Sequence, residues 1–317
     1  MSLHRRSFLR RLGALGAAGD ALPLLPPPAA AAARAPGALR IAHLTDIHLE
    51  DSPVARRGLA HCLAAAKEAG AEAIINTGDT FMRLDGVGRD KVEPQLRAWR
   101  EVAAGSALPI HSCLGNHDLW IPPAAERAAA AGHPGLEKGG RADALAALGM
   151  PAGWHAVTLG RWRFLLCDST AGASRYAFGP EQLAWVEAQL AALPAGTHAC
   201  LCTHVPIQSP GAWMWMVNRS APEKWGFPFG DLHRDLGAVT DLLRRFPAAK
   251  AVLSGHIHYV DAVDYLGVTH LNSGAVSGNW WKGDGVLDRD FPPAFAVVDF
   301  HPDGRVERRM ATYRLQP

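Results

Sequence analysis

Leu39-Arg40-Ile41-Ala42-His43-Leu44-Thr45-Asp46-Ile47-His48 is an apolar run that breaks off into ligand-type residues. Its first six residues read as a short β-strand and its polar end as a loop. The pattern recurs twice downstream. Ala73–Asn76 runs into Thr77-Gly78-Asp79, and Pro109–Leu114 runs into Gly115-Asn116-His117-Asp118. Between these strands, Val54–Ala69, rich in Ala and Leu, and Lys91–Ala104 read as helices. Strands that alternate with helices and end in polar residues predict βαβ units with a site along that edge.

The remaining chain extends the pattern. Residues 120–150 read as an insertion, with Pro122-Pro123, Gly139-Gly140 and a short helix over Asp143–Leu148. Gly160-Arg161 joins His155–Leu159 to Trp162–Cys167 as a hairpin. Gly179-Pro180 opens a helix over Glu181–Leu193, and the strand His198–Cys202 ends at Thr203-His204. Residues 207–230 are rich in Trp, Pro and Gly and read as a cap-like loop. Leu232–Phe246 is helical by pattern, and Ala251–Leu253 is a strand leading to Ser254-Gly255-His256-Ile257-His258. Then only strands are expected, over Asp261–Tyr265, Val268–Leu271, Ala294–Phe300 and Val306–Leu315. With no internal repeat, one domain over 36–317 is the simpler reading.

The first 35 residues stand apart. Arg5-Arg6-Ser7-Phe8-Leu9 with Arg10 and Arg11 is followed by a mostly apolar run to Leu25 and a Pro/Ala tract. This is the layout of an export signal, and the arginine pair resembles a twin-arginine signal. It implies a periplasmic or secreted protein and a transient encounter with the twin-arginine export machinery. Without this leader, 27 basic and 29 acidic residues remain, a net charge of −2. A nucleic-acid partner is therefore not expected, because a phosphate-backbone footprint shows as a basic domain. Apolar residues at 48% and charged residues at 20% fit an ordinary globular enzyme. The five cysteines form no metal-binding spacing; export makes disulfides possible, but the odd count and the four that lie in runs read as buried strands predict mostly free thiols.

Five motifs sit at strand ends. Asp46-Ile47-His48 carries ligand types at i and i+2, which point the same way if the strand continues. Gly78-Asp79 puts a carboxylate in a turn, Asn116 and His117 offer an amide oxygen and an imidazole, and His204 follows its strand alone. His256 and His258 repeat the i, i+2 spacing. Taken singly, each is an ordinary turn former or cap. Together they are a thiolate-free donor set suited to Zn, Mn, Fe or Ni. His43 and His111 lie inside strands and read as core residues or as supports behind the ligands.

In this order the motifs resemble the calcineurin-like metallophosphoesterase superfamily, over residues 41 to about 275. The resemblance implies an α/β (α+β) fold, a four-layer αββα sandwich of two mixed β-sheets flanked by helices. It implies two divalent or mixed-valence transition-metal ions (Mn, Fe, Zn or Ni). Asp46, His48 and His258 would hold the first, Asn116, His204 and His256 the second, and Asp79 would bridge them. His117 would contact the phosphoryl oxygen or protonate the leaving alcohol. A metal-bound hydroxide would attack a phosphate mono- or diester of a small phosphorylated substrate, with Asn116, His117 and Trp280 on the substrate side. Trp281, Trp213, Trp215 and Trp225 are further candidates for pocket walls.

One position departs from the pattern. Many members carry Gly-Asp-x-x-Asp, whose second Asp orients the catalytic histidine, but Met82 stands there, with Asp85 a candidate stand-in. Met82 also sets the chain apart from purple acid phosphatases, which place a tyrosine ligand there. Two other readings are a metal- or anion-binding protein on the same scaffold and an exonuclease. The oligomeric state is left open.

Overall fold

The computed structural model describes residues 34–172, 176–212, 230–282 and 292–312. Residues 1–33 of the leader, and Trp213, Trp215 and Trp225 of the cap-like loop, lie outside them. Strand β1 (Leu39–Leu44) is buried on both faces. It pairs in parallel with β2 (Ala73–Asn76), which pairs in parallel with β3 (Ile110–Ser112). On its other edge β1 runs antiparallel to β10 (Ala294–Phe300), and β10 to β11 (Val306–Thr312). Helices α1 (Pro53–Glu68) and α2 (Arg89–Ala103) make the crossovers. Ser52 caps α1 by accepting from the Ala55 N–H, and Pro53 suits the first turn, so this helix starts a residue before its apolar pattern.

The second sheet has the order β4 (His155–Leu159), β5 (Trp162–Leu166), β6 (His198–Cys202), β7 (Ala249–Ser254), β9 (Val268–Ser273) and β8 (Val260–Tyr265). β5, β6, β7 and β9 are parallel, with antiparallel strands at both edges. Alternate side chains of the two sheets meet in one core, where Ile41, Ile75, Val298 and Phe300 pack against Phe164, Cys200, Cys202 and Leu253. Phe300 stands edge-on to Trp162 and Phe164, with ring centres 4.8 and 5.0 Å apart. The opposite face of the first sheet buries Ala42, Leu44 and Ile74 under α1, α2 and α3 (Ala142–Leu148). The second sheet buries Leu165, Leu201 and Val252 under α4 (Gly179–Ala191) and α5 (Leu236–Arg245). This is the four-layer αββα arrangement expected from the sequence. All five cysteines are buried and free.

Several boundaries differ from the sequence reading. α5 begins at Leu236 rather than Leu232, because Leu232 packs on Ile257 and Ala212, and His233 donates its N–H to Pro206. Within 120–150, Arg89 lies over the Trp120 ring at 4.6 Å, and Trp120 Nε1 donates to the Val87 carbonyl. Arg141 pairs with the buried Asp168 at 2.7 Å, tying this segment to the end of β5. Among the described residues, no helix is long and apolar enough to cross a membrane.

Candidate metal centre

The C-terminal ends of β1, β2, β3, β6 and β7 lie along one edge of the sandwich, and the ligand-type residues follow them. β1 and β7 do not continue through their motifs. Each ends two residues early, and Asp46, His48, Asp79, His256 and His258 all take left-handed backbone, with φ of 51, 44, 49, 71 and 57°. The i and i+2 residues therefore converge through strained turns, not through strand alternation. Left-handed conformations cost of order 1–3 kcal/mol each and persist where surrounding contacts enforce them.

Those contacts are visible. The Asp46 carboxylate accepts from the His256 N–H at 2.9 Å and from Thr45 Oγ1 at 2.7 Å, joining the β1 and β7 loops. Asp79 Oδ1 accepts from the His117 N–H at 2.8 Å, joining the β2 and β3 loops. These approaches demand glycine. A Cβ on Gly115 would overlap the Asp79 amide and carboxylate, and one on Gly255 would overlap Thr45 and Asp46. Asp118 completes the β3 loop by accepting from the Gly115 and Phe81 N–H groups at 2.8 and 3.0 Å. Trp281 Nε1 donates to the Ile47 and His48 carbonyls at 2.9 and 3.0 Å. It is thus a buried brace, not a pocket wall. Trp280 instead lies against the His258 ring, 4.5 Å between centres, at the edge of the cluster.

Three overlapping groups result: Asp46, His48 and His258; His48, Asp79 and His117; and Asp79, His204 and His256. In the first, His48 Nε2 and His258 Nε2 are 3.0 Å apart, and His258 Nε2 is 3.3 Å from Asp46 Oδ1. In the last, His204 Nε2 is 3.2 Å from Asp79 Oδ2. Ligands held at about 2.1 Å by one ion stand roughly 3.0–3.4 Å apart, so both spacings fit shared cations. His204 Nδ1 bonds the Thr77 carbonyl at 3.0 Å, which turns its Nε2 toward Asp79. His256 Nε2 faces the Gly230 carbonyl at 3.4 Å, leaving Nδ1 as the available ligand atom. Asp79 belongs to two groups and stands between them. Asn116 Oδ1 and His48 Nδ1 are buried without a hydrogen-bond partner, and an incoming cation would satisfy Asn116 Oδ1 directly.

The electrostatics point the same way. Burial opposes ionisation of Asp46, but His258 and His204 hold its pKa down at about 2. Asp79 is likewise held well below its ordinary range, against its burial, by His204 and His117. Burial drives His48 down to about 3 and His256 down to about 4, so both favour the neutral, metal-ligating form. Burial also opposes the charged form of His204, yet Asp79 and Asp46 outweigh it and push the pKa up to about 9. Two buried carboxylates thus create a negative well that His204 partly fills with a proton and that cations would fill better.

His117 is the open member of the group, with its side chain 32% exposed against 3% for Asp79. Its Nδ1 bonds the main-chain carbonyl of Met82 at 2.9 Å, and its Nε2 lies 4.0 Å from Asp79 Oδ2. Asp85 pairs with Arg83 instead, at 3.4 Å. Behind the loops, His43 joins the two sheets, with Nδ1 2.7 Å from Ser273 Oγ and Nε2 2.9 Å from Thr77 Oγ1. His111 lies half-buried on β3, outside all three groups.

Known proteins give a consistent picture. The cyclic adenosine monophosphate phosphodiesterase CpdA of Escherichia coli K12 is 28% identical over 163 residues, 50% of this chain and 54% of that protein. The chain thus spans about half the length of the curated relatives it matches. A dimetal phosphatase from Danio rerio superposes with a TM-score of 0.57 at 15% identity, covering 87% of this chain and 99% of that one. GAP50, described as the anchor in the inner membrane complex of Plasmodium, superposes with a TM-score of 0.54 at 14% identity, covering 87% and 84%. Likeness at that identity shows a shared fold alone. The family model for calcineurin-like phosphoesterases matches residues 39–260, which include β1 to β7 and the loops that carry Asp46 through His258, and the chain belongs to that family.

Proposed function

We propose that this chain hydrolyses a small phosphate ester, with a diester the first choice, at a two-metal centre. The observation that carries the reading is Asp79, shared by two His/Asp groups beside a half-open His117. Asp46, His48 and His258 would hold one ion, and Asn116, His204 and His256 the other, with Asp79 between them. Such ions, when bound, supply Lewis-acid charge to the phosphoryl group and acidify water at neutral pH.

The chain's own residues do the rest. Asp46 and Asp79 bring the negative charge, and their backbone partners fix the carboxylate planes. Asn116 and His117 are neighbours in one turn, and His117 Nε2 lies 4.0 Å from Asp79 Oδ2, beside the proposed metal pair. His117 keeps its Nδ1–H on the Met82 carbonyl and gives its Nε2–H to the departing oxygen. Trp280 offers a flat apolar wall to an aromatic leaving group. A cyclic nucleotide is the natural first substrate to try, since the matched relative is named for one. The export reading extends the proposal to a periplasmic or secreted enzyme. A reporter fusion exported equally well with Arg5-Arg6 changed to Lys-Lys would contradict that extension.

The test uses purified protein with Mn or Zn on bis(p-nitrophenyl) phosphate, p-nitrophenyl phosphate and cyclic AMP. Turnover that depends on metal supports the reading. Failure on all three, and on a panel of nucleotides, sugar phosphates and phospholipids, sinks it.

A further inference from the structure

The Met82 carbonyl that orients His117 belongs to the peptide linking residues 82 and 83. The N–H of that same peptide, on Arg83, donates to Gln95 Oε1 at 3.0 Å. A trans peptide is planar, with its C=O and N–H on opposite sides. The two hydrogen bonds therefore grip one rigid plate from both edges and fix its rotation. Gln95 is itself held: its Nε2 donates to the Arg83 carbonyl at 3.0 Å and to the Lys91 carbonyl at 2.8 Å. It is buried on α2, away from the metal cluster. The flanks are tied as well, by Met82 N–H to the Leu49 carbonyl and Leu84 N–H to the His117 carbonyl, at 3.0 and 2.9 Å.

We propose that Gln95 is the positioning residue for His117, acting through the 82–83 peptide in place of the absent carboxylate. The proposal rests on the phosphoesterase reading above. The family's carboxylate would grip the imidazole directly. Here a neutral carbonyl does so, and its aim is set from α2 by a side-chain amide. Serial hydrogen bonds also polarise one another, which strengthens the carbonyl as an acceptor. Without Gln95 the peptide could turn, and a misplacement of about 1 Å can cost on the order of a hundredfold in rate.

The metal-loaded full chain is assayed on bis(p-nitrophenyl) phosphate and diphenyl phosphate, which differ in how much their leaving oxygen needs a proton. Gln95→Met fills the same space without hydrogen bonds. It is expected to lower kcat on diphenyl phosphate roughly ten- to hundredfold, well beyond its effect on the nitrophenyl ester, with KM little changed. Adding Met82→Asp, which offers His117 a carboxylate, is expected to restore most of that loss. Arg100→Ala, which removes an exposed side chain elsewhere on α2, is expected to change neither rate. Equal losses on both esters, or none, overturn the role of Gln95 while leaving the phosphoesterase reading intact. If wild-type protein turns over neither these esters nor the wider panel named above, that reading falls first. Nitrogen-15 NMR of His117 in wild type and in Gln95→Met then still decides: a proton on Nδ1 whose slow exchange is speeded by Gln95→Met supports the role, and a ring without a proton on Nδ1, or exchange unchanged in the variant, overturns it.

Discussion

Changing His43 to Gln tests how the two sheets are joined beneath the metal-binding loops. His43 is fully buried between Ser273 and Thr77, and burial first of all, with Arg308 adding, holds its pKa down at about 3 against an ordinary 6.5. The folded protein therefore keeps this ring neutral across the window in which the unfolded chain protonates it. Below pH 6.5 the unfolded state binds more protons, so the contribution to stability is full above that pH and is lost as pH falls toward 3. At pH 5 the loss is RT ln[(1 + 10^1.5)/(1 + 10^−2)], about 2 kcal/mol, and at pH 7.5 it is close to nil. Gln can give and take a hydrogen bond but does not titrate.

The assay is urea unfolding of metal-stripped protein at pH 7.5 and pH 5.0, for wild type and His43→Gln. Other buried histidines, such as His270, weaken both proteins alike on acidification and cancel in the comparison. His43→Gln is expected to lose about 2 kcal/mol less than wild type between the two pH values, whatever its stability at pH 7.5. An equal acid-induced loss in the two proteins would refute the claim that His43 is held neutral between the sheets.

Gly115→Ala should force Asp79 from its place, because the new methyl overlaps the Asp79 amide and carboxylate. A destabilisation of about 1–3 kcal/mol with loss of bound metal is expected, read by thermal unfolding and elemental analysis. Gly237→Ala is the contrast: it lies in α5 with open space around it, and should stabilise by about 0.4–1 kcal/mol in the same melt. His117→Ala should keep its metal content and lose roughly a hundredfold or more in kcat. Trp280→Ala should raise KM for nucleotide and aryl esters several-fold with metal content unchanged, and unaltered kinetics would remove it from the substrate wall.

Much of this was legible because strand ends and donor types are local features. Asp46, His48, Asp79, His204, His256 and His258 could be read as strand-end donors, and the structure gathers them into shared groups. Their backbone could not be read. The left-handed turns at Asp46 and His48 are held by the His256 N–H and by Trp281, which lie 210 and 233 residues away in sequence. The departure at Met82 was visible, but not its resolution. A side-chain pattern cannot show that a main-chain carbonyl faces His117, or that Gln95 holds it there. Trp280 and Trp281 are adjacent in sequence, yet one stacks on His258 and the other braces His48, because their shared left-handed backbone sends the rings different ways.

The most direct test of the two-metal centre is a titration of metal-free protein with Mn or Zn, following bound metal and hydrolysis of bis(p-nitrophenyl) phosphate together. The geometry around Asp79 calls for activity that rises to a plateau at two equivalents per chain, and for Asp79→Asn to bind fewer and stay inactive. Full activity without metal, or saturation of the wild-type chain at a single equivalent, would contradict it.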